Sequence, residues 1–347
     1  MRYATLKKSR IVRFHKTGGP DVLQIDNCLD SAPNDQEVTV RIEAFGLNRA
    51  ECMLRQGVYA FNPILPCRIG GEGSGTISSV GRKVHKFSTG DKVAVIPFAI
   101  ADENGYWKDE TGKYGCYGET VTVPEHGIVS VPKGVSAVTN AASWMQYLTA
   151  WGALVHHAVI RSDDTVLITA ASSSAALGGI HVCKDFGARV IAATRSSEKV
   201  EALIAAGADH VITADEGDYS RNVHEITGGR GATVIFDPVS GSLTNTLLTA
   251  ASPEARIICY GNLDQENASF PALNALTKRV SIKFYSLYDI TRRSELLEKA
   301  HEYVYQRLED KRFEPVIDTV FHGLESCVEA HRRMESNQQF GKIVVEI

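Results

Sequence analysis

The stretch Val166-Leu-Ile-Thr-Ala-Ala-Ser-Ser-Ser-Ala-Ala-Leu-Gly-Gly-Ile-His-Val-Cys-Lys184 decides how this chain is read. It reads as a buried strand, a tight turn of very small residues, and a helix that opens without a bulky side chain. Side chains no larger than serine let backbone N–H groups approach a pyrophosphate, and the helix N-terminus adds a favourable partial positive charge. The dinucleotide fingerprint for such a turn is G-x-G-x-x-G or G-x-G-x-x-A. This chain has Ala171, Ser173 and Ala176 at those positions, so the glycine pattern alone does not identify it. The context does: Arg189-Val-Ile-Ala-Ala-Thr194 follows as a second short apolar run, completing a strand–helix–strand unit. Ser172, Ser173, Ser174 and Ala176 are therefore expected to cradle a dinucleotide.

Outward from this unit the same alternation continues. Ser136 to Ala158 and Ser197 to Ala206 read as helices, and His210–Thr213, Ala232–Asp237, Ala255–Tyr260 and Ser281–Tyr285 as strands. Alternating strands and helices predict a doubly wound parallel sheet, an α/β fold of Rossmann type, over residues 134–290. Residues 1–133 differ. Short alternating runs such as Ser9–Phe14, Glu37–Glu43, Gly73–Gly81 and Gly90–Ile96 are separated by turn residues, which predicts a small rolled β domain. The polar insert 101–113 reads as a surface loop. The end of the chain, 291–347, carries an amphipathic helix from Ser294 to Arg307 and a last strand, Lys342–Ile347, and is expected to rejoin the first domain, making it discontinuous.

Bulk properties narrow the function. A length of 347 residues suits two domains, and 44% hydrophobic with 22% charged residues is an ordinary globular balance. A net charge of -4 argues against a nucleic-acid or anionic-membrane surface. No apolar run reaches the length of a spanning helix, and Met1-Arg-Tyr-Ala-Thr-Leu-Lys-Lys lacks the apolar stretch of a secretion signal. Seven scattered cysteines point to reduced thiols and a cytoplasmic location, not to a disulfide or zinc framework.

Cofactor choice is read at the end of the second strand. An NAD-specific site places Asp or Glu there, on the ribose 2′-hydroxyl. This strand ends Thr194-Arg-Ser-Ser-Glu-Lys199, where Arg195 offers a forked donor, Ser196 a hydroxyl and Lys199 a second positive charge. NADPH is the expected cofactor. The competing reading makes Arg195 and Lys199 solvated charges at a helix start. Tyr260-Gly-Asn262 ends a strand at the carboxyl edge of the sheet, where this fold binds ligands; Gly261 would admit a close ring and Asn262 a hydrogen bond.

The order of motifs resembles the medium-chain dehydrogenase/reductase superfamily, in its zinc-free quinone oxidoreductase and enoyl reductase branch. The resemblance rests on Gly46-Leu-Asn-Arg-Ala-Glu51, Gly70-Gly-Glu-Gly-Ser-Gly75, Gly90-Asp-Lys-Val93, the small-residue turn, Ala206-Gly-Ala-Asp-His-Val-Ile212, Phe236-Asp-Pro-Val239 and Phe340-Gly-Lys-Ile-Val-Val345. It implies a GroES-like fold for the β domain. In zinc members a Cys, a His and a second Cys hold the metal. The resemblance puts Asn48, Gly71 and Met145 at those positions, so no metal is expected; Glu72 beside them reads as a lone structural acceptor. Asn48 and Thr149 fall where the branch contacts the nicotinamide ribose and ring, with a plain turn residue as the competing reading of Asn48, and Lys184 where relatives use a lysine on the 2′-phosphate. Tyr59 matches a tyrosine that enoyl reductases use as proton donor; packing of its loop is the equally open alternative. The resemblance implies a homodimer paired through the strand at Ser281–Ser286. The expected activity is hydride transfer from NADPH, in a cleft between the domains, to an enone, enal or quinone. Two alternatives stand: a pathway enoyl reductase acting on a carrier-bound intermediate, and a non-catalytic NADPH-binding protein.

Overall fold

The computed structural model describes residues 8–30, 32–98, 114–213 and 219–347. The insert read as a surface loop, 101–113, lies outside the described residues. The chain divides into two compact units, Met1–Met145 with Thr291–Ile347, and Gln146–Ile290.

The first unit begins with β1 (Lys8–Phe14), β2 (Leu23–Leu29), β3 (Glu37–Gly46), α1 (Arg49–Gln56), β4 (Cys67–Arg68), β5 (Glu72–Val80), β6 (Lys92–Val95), β7 (Thr120–Pro124), β8 (Ile128–Ser130) and α2 (Ala137–Ala150). The division falls inside α2 and not at the composition change near residue 133, because the first turns of α2 are tied into the first unit. Ala141 and Ala142 are buried with Ala44 and Val344, and the Asn140 amide donates to Ser74 Oγ at 2.8 Å. α2 then passes into a π-helical stretch, Trp151–His157, where the sequence predicts an uninterrupted helix.

The second unit contains β9 (Thr165–Ile168), α3 (Ser174–Asp185), β10 (Arg189–Thr194), β11 (His210–Thr213), β12 (Ala232–Asp237), β13 (Ala251–Cys259) and β14 (Ser281–Phe284). Its sheet has the order β11-β10-β9-β12-β13-β14, and every pairing is parallel. The central strands β9 and β12 are covered on both faces. That is why they read as continuous Val/Leu/Ile runs and not as alternating ones. The winding direction reverses between β9 and β12, which places a ligand crevice at their carboxyl ends.

The chain then returns to the first unit as α4 (Ser294–Glu309), β15 (Ile317–His322), α5 (Cys327–Glu335) and β16 (Lys342–Glu346). β16 pairs antiparallel with β3, Val344 opposite Gly46, so the last residues complete a sheet that begins with β3, while β1 and β2 form a separate sheet with β4. That sheet runs β15-β16-β3-β5-β6-β8, with β7 also on β3. Val38, Val40 and Ile42 are buried as their alternation requires. The close approach of β5 to β3 needs glycine: a Cβ on Gly75 would lie 2.0 Å from the Arg41 carbonyl oxygen.

Candidate active site

At the dinucleotide turn, β9 ends at Ile168 and the chain swings through Ala170, which holds φ at 46°. Ser173 caps α3, its Oγ accepting from the Ala176 N–H at 3.4 Å. As the first residues of the helix, Ser174 and Ala175 have N–H groups that no carbonyl within the helix can take. Such donors suit a phosphate. The close helix–sheet packing that the fingerprint assigns to its last glycine has moved one turn on. A Cβ on Gly179 would meet the Phe236 ring of β12 at 2.8 Å.

The end of β10 comes to the same place. Lys199 Nζ donates to Ser172 Oγ at 3.2 Å, joining the turn to the residues read as a 2′-phosphate site. Arg195 is exposed, Ser196 half-buried, and Thr194 buried with its Oγ1 accepting from the Ser196 N–H at 3.4 Å. Tyr219, which the sequence reading missed, donates to the Thr194 carbonyl at 3.4 Å. Burial raises its phenol pKa and the nearby Arg195 charge opposes that rise, so Tyr219 flanks the guanidinium. Nothing in its local sequence marks it.

Lys184 is not brought to this group. It stands in the last turn of α3 and ion-pairs with both carboxylate oxygens of Asp209, at 2.9 and 3.0 Å. A helix rises 1.5 Å per residue, so Lys184 sits roughly 15 Å along the axis from the helix start. The 2′-phosphate role expected for it is withdrawn.

At the end of β13, the Tyr260 ring stacks on Phe236 with centroids 4.1 Å apart. Its hydroxyl is buried; burial first and Asp237 second push its pKa far up, with Ser173 opposing. Tyr260 thus supports the turn from beneath. Gly261 packs where a Cβ would be 2.8 Å from the Pro238 carbonyl oxygen, and its own carbonyl accepts from Ser240 Oγ at 2.8 Å. Asn262 is exposed and Thr149 buried within α2.

In the first unit a buried polar chain surrounds Asn48, the N-cap of α1. Its N–H donates to Glu51 Oε2 at 2.7 Å, closing a capping box. Its amide donates to Glu51 and Glu72 at 3.3 and 3.2 Å, and its Oδ1 accepts from Lys342 Nζ at 2.7 Å. Lys342, wholly buried, ion-pairs with Glu72, which also accepts from the Met145 N–H at 2.9 Å. Glu72 is therefore no lone acceptor, contrary to the sequence reading. Both amide hydrogens of Asn48 are spent inside the protein, leaving only acceptor capacity for a ligand.

The positions equivalent to zinc ligands do converge. A Cβ on Gly71 would lie 3.3 Å from Met145 Cε and 3.4 Å from Glu51 Oε1. They do not fit zinc: an amide, a bare backbone and a thioether lack its donors, and the ammonium of Lys342 already balances Glu72. Among the described residues no group of three or more His, Cys, Asp or Glu side chains is placed to hold a metal ion.

The polar chain continues inward. Glu51 also accepts from the Gly71 N–H at 2.7 Å and from Tyr117 Oη at 2.9 Å. Tyr117 Oη lies 3.3 Å from His331 Nε2, and His331 Nδ1 lies 3.4 Å from Cys52 Sγ. Burial, reinforced by the Arg55 charge, pushes the His331 imidazole down to about 3, so it is neutral.

Glu51 opens on its other side onto a pocket that is partly open to solvent. Leu54, Tyr59, Phe61, Ile64, Phe98 and Met145 give it mostly apolar walls. Tyr59 meets Phe61 edge-on at 5.1 Å, and burial first, with Glu51 second, raises its phenol pKa. The structure thus puts Tyr59 on the wall of this pocket.

Comparison with known proteins agrees with this architecture. Residues 34–133 match the family described as alcohol dehydrogenase GroES-like domain, and residues 176–302 the one described as zinc-binding dehydrogenase. A quinone oxidoreductase of Pseudomonas aeruginosa is 30% identical over 251 residues, covering 72% of this chain and 73% of that protein. The synaptic vesicle membrane protein VAT-1 homolog of Danio rerio is 28% identical over 325 residues; these are 89% of this chain but 64% of that longer protein. A crystal structure of an NAD-dependent alcohol dehydrogenase superimposes with a TM-score of 0.87 at 28% identity, covering 97% of this chain and 99% of that one. The Escherichia coli quinone oxidoreductase complexed with NADPH superimposes at 0.86 with 24% identity, over 97% and 100% of the two chains.

Proposed function

Because this chain belongs to the medium-chain dehydrogenase/reductase superfamily, in its zinc-free quinone oxidoreductase branch, we propose that it is an NADPH-dependent reductase of α,β-unsaturated carbonyl compounds or quinones. The observation that carries the cofactor choice is the end of β10. There Arg195 and Ser196 stand where an NAD site has an acid, and Lys199 bridges back to Ser172.

The diphosphate would lie on the Ser172–Ala176 turn and the α3 N-terminus, the 2′-phosphate on Arg195, Ser196 and Lys199. Thr149 and Tyr260–Asn262 would border the nicotinamide. Bound NADPH supplies the hydride. The apolar pocket beside Tyr59 would hold the acceptor. Negative charge that develops on the acceptor oxygen then needs a hydrogen-bond donor, and the Tyr59 hydroxyl is one. For an enone, Tyr59 would pass its proton to the α-carbon; a phenol is protonated at neutral pH, and burial keeps it so. A reduced quinone can take its proton from water. The same reading includes a homodimer paired through β14.

The test follows NADPH absorbance with a panel of enals, enones and quinones. Steady turnover with at least one of them is expected. Tight NADPH binding with no turnover on any free acceptor would instead support the carrier-bound or binding-protein alternatives.

A further inference from the structure

The Glu51–Tyr117–His331 chain has no part in the reaction as described so far. Capping α1 needs only an acceptor at residue 51, which glutamine supplies equally well. A carboxyl buried behind the substrate pocket, backed by a phenol and an imidazole in an apolar core, costs desolvation that capping does not explain.

The arrangement has one property that a purely structural carboxylate does not require. With Glu51 ionised, Tyr117 donates to Oε2 and His331 can donate to the Tyr117 oxygen. With Glu51 protonated at Oε2, that proton is donated to the Tyr117 oxygen. The Tyr117 hydrogen then turns to the Nε2 lone pair of His331, which burial keeps neutral. Either protonation state is hydrogen-bonded without moving a heavy atom, the neutral imidazole carrying its one hydrogen on Nε2 in the first and, after a tautomer exchange, on Nδ1 in the second. Burial also favours the protonated carboxyl, raising its pKa against the Gly71 and Asn48 donors and Lys342.

From this geometry, and resting on the reductase reading above, we infer that Glu51 is the proton reservoir of the pocket and resupplies Tyr59. The balance is complete. Hydride from NADPH forms the C–H bond at the β-carbon; the Tyr59 O–H bond breaks as the α-carbon takes its proton. The Glu51 carboxyl then gives its proton to the Tyr59 phenolate, and water reprotonates the carboxylate before the next turnover. The titratable and charged groups that face Glu51 are Tyr59, Cys52, Cys116 and Tyr117, with Glu72 and Lys342 beyond Asn48. Glu51 and Tyr59 line the pocket, together with Cys67 and the charged Arg68.

The test combines Glu51→Gln and Tyr117→Phe with two readouts. In the wild type, enone kcat should fall as pH rises through the Glu51 ionisation, and the infrared band of a protonated buried carboxyl should vanish over the same range. Glu51→Gln should lose that band and that limb of the profile, with enone kcat down at least tenfold. Tyr117→Phe, which strips the carboxyl of its two-way partner, should displace the limb and the band together. Wild-type pH profiles in both variants, or a band unchanged by Glu51→Gln, would overturn the assignment while leaving the reductase reading intact. A wild type that oxidises no NADPH with any acceptor would overturn both.

Discussion

Arg195 is the residue on which cofactor preference turns. Its guanidinium is exposed at the end of β10, and among the described residues no ion pair occupies it. A charge-assisted hydrogen bond contributes about 1.5–3 kcal/mol, and about 1.4 kcal/mol is tenfold in affinity. Arg195→Ala should therefore weaken NADPH roughly ten- to a hundredfold while leaving NADH nearly unchanged, read by fluorescence titration of each cofactor. Equal affinities in the wild type would mean that the turn has been misread. Tyr59 carries the second test at this scale. Tyr59→Phe keeps the edge contact with Phe61 and removes only the hydroxyl. Enone turnover should drop by about a hundredfold, the range for a positioned general acid, and quinone turnover should not. If both substrates keep wild-type rates, the phenol is packing and solvent supplies the proton.

Among the elements, α5 is one whose hold on the fold depends on pH. It places His331 in the core against Tyr117 and Cys52, where the imidazole stays neutral down to about 3. In the unfolded chain a histidine titrates near 6.5, so below that pH the unfolded state binds one more proton. The sign is that stability is fully present above about 6.5 and falls with pH, by about 1.4 kcal/mol per unit, until the folded value is reached. Urea unfolding from pH 7 to 4 should show this slope, and His331→Gln should flatten it; an unchanged slope would locate the titration elsewhere. Elements of this kind were only partly legible in sequence. β12 falls at the residues its apolar run marks, because a strand covered on both faces advertises itself. The turn before α3 was legible although its glycines are missing, since Ser and Ala serve where only small size is required. The displaced glycine, Gly179, was not, because its need arises from Phe236 on another strand. Lys184 was misplaced because a pattern match ignored that a helix carries its two ends apart.

For the molecule as a whole, strand–helix alternation made the parallel sheet readable, yet the first unit's polar core stayed hidden. Lys342 meets Asn48 across 294 positions of chain, and no local pattern announces that contact. The last whole-molecule feature is an open edge. Among the described residues β14 ends its sheet with a neighbour only in β13, and Phe284 on it is 68% exposed. The segment leading into it exposes Phe270, Leu273 and Leu276, the two leucines at 75% and 74%. An unpaired edge beside large exposed apolar side chains is an aggregation hazard for a lone chain. A second copy related by a two-fold axis would cover both at once, because the same patch would then meet itself. The protein should therefore sediment as a dimer at micromolar concentration. Phe284→Lys with Leu276→Glu places charge on that edge, and should yield a monomer whose circular dichroism is unchanged, since neither side chain is part of the core. A wild type that sediments as a monomer, or a charged variant that remains dimeric, would rule this edge out as the interface.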